Sequence, residues 1–284
     1  MDCAGSLLSI FRLLPSRNIH LPREQLTNGR TDAGRVGSAV PEHCCRDAAC
    51  VADATSAGGA VTGVYERALG EAAADLHPKV RDRYSLAPDD GTVCVGRGEM
   101  DITRGTLVLP ALYAMTTQNM LFPEAGEDVP FSVTTVAYTT DGGHEAMTTR
   151  RAFDFGDTTR LFDSLTVWDA EAERLLDFLG THGRVASELH PRVEDGALVV
   201  AGGRQWARLG DRYVPLPGPL AADVEVRDRY DVDDERYHVT ATVENDLVGH
   251  MLGYRGTFTQ DQTASDGTPD DLRIVRGLDR LPPR

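Results

Sequence analysis

From Thr92 onward, apolar residues recur at every second position in segments of five to eleven residues, broken by short glycine- and aspartate-rich stretches. A period of two belongs to β-strands, whose side chains alternate between two faces; a helix repeats every ~3.6 residues. Strands are expected over residues 92–102, 129–139, 145–155, 158–168, 174–179 and 185–193, then over 197–201, 205–209, 221–230, 236–245 and 250–260. Asp141-Gly142-Gly143, Gly156-Asp157, Glu194-Asp195-Gly196, Gly202-Gly203 and Asp233-Asp234 supply the turn chemistry between several of them. A run of short strands without alternating helices argues against a parallel α/β fold and for an antiparallel meander.

Two helical segments interrupt or precede this run. Val64, Ala68, Leu69, Ala72, Ala73 and Leu76 recur at helical spacing up to Pro78, and residues 80–84 add a short turn. A second helix is expected over Leu107–Met120, with Pro110 in its first turn, where a missing backbone N–H costs nothing. The expected fold is mainly β (α+β): a meander closing into a barrel-like or strongly curved sheet, lipocalin-like in general shape, with one or two helices packed on it. Residues 1–61 lack sustained periodicity and read as disordered, or as an extension translated from an upstream start site. The β domain spans 62–262, and the polar residues 263–284, ending in Pro-Pro-Arg, read as a flexible tail.

Charge narrows the partners. Acidic side chains outnumber basic ones 44 to 29, and because residues 1–60 hold six of each, the net charge of −15 resides in the rest of the chain. Such a surface repels phosphate backbones and anionic lipid, so neither nucleic acid nor a membrane is an expected partner. No stretch approaches the ~18 apolar residues of a spanning helix. A single lysine, Lys79, stands among 28 arginines. Abundant carboxylates with almost no lysine suit a halophilic protein, in which salt screens charge over a few Å. Four of the five cysteines fall in the first fifty residues, leaving Cys94 in the β domain, so no disulfide framework is expected and a reducing cytoplasm is the default compartment.

Several strings stand in order along the strands: Gly96-Arg97-Gly98-Glu99-Met100-Asp101, Asn119-Met120-Leu121-Phe122-Pro123, Gly126-Glu127-Asp128-Val129-Pro130-Phe131, Arg151-Ala152-Phe153, Asp177-Phe178-Leu179-Gly180-Thr181-His182, and Leu252-Gly253-Tyr254-Arg255-Gly256-Thr257-Phe258. Over residues 64–260 these resemble the domain of unknown function 4166 (DUF4166), also found at the C-terminus of YndJ-like proteins. Thr149 stands where that family pattern has Trp. The resemblance implies a domain boundary but no activity.

Arginine on an apolar strand face is the most informative chemical feature. Alternation places Arg151 with Met147, Thr149, Phe153 and Phe155 on the face that should point inward; Arg97 alternates with Val93 and Val95, and Glu99 and Asp101 follow on the same face. A guanidinium inside a barrel must be paired or hydrogen-bonded, because otherwise it costs several kcal/mol. One reading is a small, partly apolar ligand whose anionic head is bound by Arg97 and Arg151, with Asp101 and His182 nearby and Phe153 and Tyr254 in the lining. Another is an internal ion pair between Arg97 or Arg151 and Glu99 or Asp101. An enzyme using Asp101, Glu99 and His182 as acid and base, or a protein-interaction module with a filled core, are the remaining alternatives.

No nucleophile elbow, phosphate-binding loop or dinucleotide fingerprint is present, so no cofactor is expected. No histidine pair has tight metal-ligand spacing, and His43-Cys44-Cys45 with Cys50 lacks paired Cys-x-x-Cys motifs, so no metal is expected either.

Overall fold

A computed structural model of the chain describes residues 62–284 apart from Asp89 and Asp266. The expectations for residues 1–61, including the His43, Cys44, Cys45 and Cys50 cluster, lie outside the described residues.

The meander is realised as β1 (Thr92–Arg104), β2 (Gly126–Thr139), β3 (Glu145–Asp154), β4 (Thr159–Asp169), β5 (Arg174–Leu179), β6 (Val185–Glu194), β7 (Ala197–Leu209), β8 (Arg212–Pro215), β9 (Asp223–Asp231), β10 (Arg236–Asn245) and β11 (Gly249–Ala264). Every ladder is antiparallel, and β11 pairs back onto β1, so ten strands form a closed barrel without free edges. The short β8 pairs only with β7, beyond the stretch of β7 that bonds to β9. One expected turn is absent: β7 runs straight through Gly202-Gly203, and β6 absorbs the mismatch in a register shift between Ser187 and Leu189.

Among the described residues three α-helices accompany the barrel: α1 (Val64–Leu69), α2 (Pro78–Tyr84) and α3 (Leu109–Met115). The helical spacing past Leu69 continues as a tighter 3-10 segment over Gly70–Asp75 rather than as one α-helix. Likewise α3 is shorter than expected, with Pro110 in its first turn and a 3-10 turn at Thr116–Gln118 after it. Among the described residues no helix is long and apolar enough to cross a membrane.

Two apolar clusters fill the ends of the barrel. At one end α1 and α2 drive Val64, Tyr65 and Val80 against Cys94, Met147, Leu175 and Leu198. At the other, Val108, Leu112 and Met115 around α3 close over Met100, Phe122, Phe131, Phe153, Tyr254 and Phe258. Burying a side chain such as Phe153, which is 0% exposed, stabilises the fold by about 2–3 kcal/mol relative to leaving it in water. Cys94 is a free, buried thiol, pushed up to about 11 by that burial, in keeping with a small core residue.

A third cluster lies on the outer face. Leu272, Ile274, Val275 and Leu278 are buried there against Val93, Val136, Leu165, Val167, Leu176, Phe178 and Trp206. Composition suggests a flexible tail from residue 263, but the part beyond Asp270 packs across the barrel wall because it carries its own apolar residues. Polar contacts pin it as well. Arg150 donates to Asp271 at 2.8 Å, Arg208 to the Gly277 carbonyl at 2.6 Å, and Tyr213 to the Arg280 carbonyl at 2.8 Å.

The glycines of the Gly96-Arg97-Gly98 and Tyr254-Arg255-Gly256 strings have a backbone role where β1 crosses β11. A Cβ on Gly98 would lie 1.9 Å from the Thr257 carbonyl oxygen, and one on Gly256 would lie 2.1 Å from that of Glu99. The two strands approach so closely at this bend that neither position has room for a side chain.

Candidate functional site

Between the two interior clusters the alternation of the strands brings polar side chains to one level of the barrel. Arg151 on β3 stands opposite Phe162 on β4, and Thr166 on β4 stands opposite Asp177 on β5, itself opposite Ser187 on β6, which faces Gln205 on β7. Asp228 enters from β9. The helical plug adds three more groups: Tyr65 from α1 and Arg83 and Tyr84 from the last turn of α2.

Arg83 and Asp228 form a buried ion pair, Arg83 Nε donating to Asp228 Oδ2 at 3.0 Å. Tyr84 donates to the same oxygen at 2.8 Å, Arg83 also bonds Gln260, and its guanidinium lies 4.8 Å from the Phe258 ring centre. Burial opposes the Arg83 charge, but Asp228 with Tyr84 and Tyr237 outweighs it and holds the guanidinium protonated. The pair anchors the plug.

Arg151 and Asp177 are differently placed. Arg151 keeps part of its surface open, makes one long contact of 3.4 Å to Ser164 Oγ, and stacks 4.9 Å over the Phe162 ring. Among the described residues no carboxylate lies within ion-pair distance of it. Asp177 accepts from Thr166 Oγ1 at 2.9 Å, and the Tyr65 hydroxyl lies close enough to feel the Asp177 charge. Burial raises the Asp177 pKa, an effect only partly offset by the nearby Arg151 charge and the Thr166 bond. Burial, then Asp177, pushes the Tyr65 hydroxyl up to about 12. Around these groups the inward-facing Phe162, Leu179, Val185, Val224 and Val226 are only partly buried, so the interior is not filled at this level.

Of the residues expected at a site, Arg151, Phe153 and Tyr254 do face the interior. Phe153 and Tyr254 lie ring to ring at 5.5 Å. Arg97 does not join them. It is exposed on the outer face, because the inward face of β1 is the one carrying Cys94, Gly96, Gly98, Met100 and Ile102. Val93 and Val95, which mark the Arg97 face as apolar, lie instead in the outer cluster under the C-terminal segment.

Glu99 is exposed on that same outer face, and Asp101 there accepts from the Asp128 backbone at 3.2 Å and lies 3.5 Å from Arg255. His182 is exposed in the β5–β6 turn, with β2, β3 and β4 between its hairpin and β1. The three acid/base candidates therefore do not converge, and neither Glu99 nor Asp101 is an internal partner for Arg151. The neighbouring Arg150, pointing outward, is the structural arginine: its Nε donates at 2.9 Å to Asp163, which is 0% exposed.

Asp177, Asp228, Arg83, Tyr65 and Tyr84 escape the sequence reading. For the two carboxyls a signal exists, since Asp177 interrupts Leu175 and Leu179, and Asp228 interrupts Val226 and Tyr230, on one strand face. The helical residues carry none, because nothing local says that α2 inserts its end into a barrel. One further cluster, Asp231, Asp234 and His238, has metal-ligand atoms within 4.8 Å of one another at the β9–β10 turn. Arg229 already donates to Asp231 at 2.7 Å and to His238 Nδ1 at 3.1 Å, so the cluster is an ion-paired turn.

Comparison with known proteins agrees with this frame. An uncharacterized protein, YndH, of Bacillus subtilis (strain 168) is 30% identical over 193 residues, covering 67% of this chain and 93% of that protein. Residues 76–258, which hold all of the barrel strands except the last six residues of β11, and with them Arg83, Tyr84, Arg151, Asp177 and Asp228, match the model for the domain of unknown function DUF4166, and the chain belongs to that family.

Proposed function

We propose that the barrel binds a small, partly apolar ligand whose anionic head is held by Arg151. The observation that carries this reading is an inward-facing, partly exposed guanidinium with no carboxylate at ion-pair distance among the described residues. A guanidinium on the inward face that keeps open surface and has no carboxylate at ion-pair distance has its charge-assisted donors available to an anion entering the barrel. The surrounding Phe162, Leu179, Val185, Val224 and Val226 offer apolar walls to the rest of the ligand.

A filled interaction module fits less well, since its inward side chains would be fully covered. Native mass spectrometry of the purified chain, followed by denaturing extraction, tests the reading. A small acid that co-purifies with wild type and is absent from Arg151→Ala is the expected result. A ligand retained equally by Arg151→Ala refutes the role of Arg151.

A further inference from the structure

The head group has a second feature written into the barrel. Asp177 uses one oxygen to accept from Thr166; the other has no protein donor among the described residues and is not sealed off, as the partly open surface of the residue indicates. The two strands beside it cannot supply a donor, because the inward groups nearest in register are Thr166, already bonded, and Ser187, which donates to the Glu188 carbonyl at 3.2 Å. Thus a free donor, Arg151, and a free acceptor, Asp177, face the same unfilled space without touching each other.

Their separation follows from the strands. Arg151 reaches Ser164, and Asp177 is held by Thr166, two residues further along the same face of β4. Two residues of a strand span about 6–7 Å. A head with two oxygens roughly 3 Å apart bridges anchors at about that spacing when its two hydrogen bonds of about 2.8 Å run obliquely, from a position beside the line between Arg151 and Asp177, rather than end to end along it. Charge leads to the same chemistry. At this level two guanidiniums, Arg83 and Arg151, stand against two carboxyls, Asp177 and Asp228, so a head that brings only negative charge satisfies Arg151 while worsening the position of Asp177.

We propose that the ligand is a hydroxy acid: its carboxylate binds Arg151, a hydroxyl close to that carboxylate donates to Asp177, and its apolar chain lies along Phe162, Leu179 and Val226. This rests on the interior anion site argued above and adds the donor half of the head.

Isothermal titration of the full chain with two probes, octanoate and β-hydroxyoctanoate, separates the two claims. The hydroxy acid is expected to bind wild type about tenfold more tightly, the value of one hydrogen bond to a charged or strongly polar group. In Asp177→Ala the advantage disappears, while octanoate, relieved of the neighbouring carboxyl, binds at least as tightly as it does to wild type. Equal affinity of both probes for wild type overturns the hydroxy-acid inference and leaves the anion site standing; this comparison needs no variant, so it holds even if Asp177→Ala folds poorly. An advantage that survives in a folded Asp177→Ala also overturns it. Binding of neither probe overturns both readings.

Discussion

Replacing Arg83 by leucine strikes the point at which the helical plug is fixed to the barrel. Asp228 is 1% exposed, its Oδ2 is held by Arg83 and Tyr84, and its Oδ1 has no partner. Without the guanidinium, a buried carboxylate keeps one hydroxyl donor. Breaking such a pair from one side costs about 3–5 kcal/mol, which for a domain of this size is a fall in melting temperature of roughly 6–20 °C. The loss is greatest where Asp228 is ionised and shrinks as acid protonates it, because the uncompensated charge is then removed. Urea unfolding followed by circular dichroism measures it, and the surface pair Arg192–Glu194, with side chains 45% and 41% exposed, is the reference. Truncating Arg192 is expected to change stability by less than about 1 kcal/mol. Arg83→Leu combined with Asp228→Leu should regain much of the loss, since two apolar groups leave no charge to desolvate. If Arg83→Leu alone costs less than about 1 kcal/mol, the ion pair does not anchor the plug and the reasoning fails.

Three further expectations concern the tail, the interior acid and the bend. Leu278 is 1% exposed in the outer cluster, so Leu278→Ala should cost about 2–5 kcal/mol by urea titration; an unchanged midpoint would mean the C-terminal segment is not part of the folded unit. Burial raises the Asp177 pKa above its ordinary 3.8, so the folded state binds the extra proton and stability falls as pH rises from about that value through the raised one. Asp177→Asn should lack that decline, and a pH–stability curve parallel to wild type would refute it. Gly98→Ala places a Cβ 1.9 Å from the Thr257 carbonyl oxygen and should destabilise by about 1–3 kcal/mol or more, with full stability of the variant showing that β1 and β11 can separate there.

Much of the architecture was legible because side-chain alternation is a local property. The segment around Arg151 reads correctly for this reason: Met147, Arg151 and Phe153 share one face whatever lies beyond them. The period of two therefore determined the strands, their antiparallel order, and the presence of an arginine among inward apolar residues.

Which face is inside is a different kind of fact. Val93, Val95 and Arg97 alternate as cleanly as Cys94, Met100 and Ile102, and β5 carries Leu176 and Phe178 on one face and Leu175 and Leu179 on the other. Both faces look like core because both are covered, one by the barrel interior and one by residues 272–278 arriving from the end of the chain. Arg97 consequently reads as inward when it is exposed, and Asp177 passes unnoticed. The pairing of Arg83 with Asp228, 145 positions apart, likewise exists only once the ring of strands has closed and α2 has entered its end. Sequence by itself determined which residues share a face, since that depends on neighbours two positions away. Only the tertiary structure decided what each face meets, since burial and pairing are set by segments that approach from anywhere in the chain.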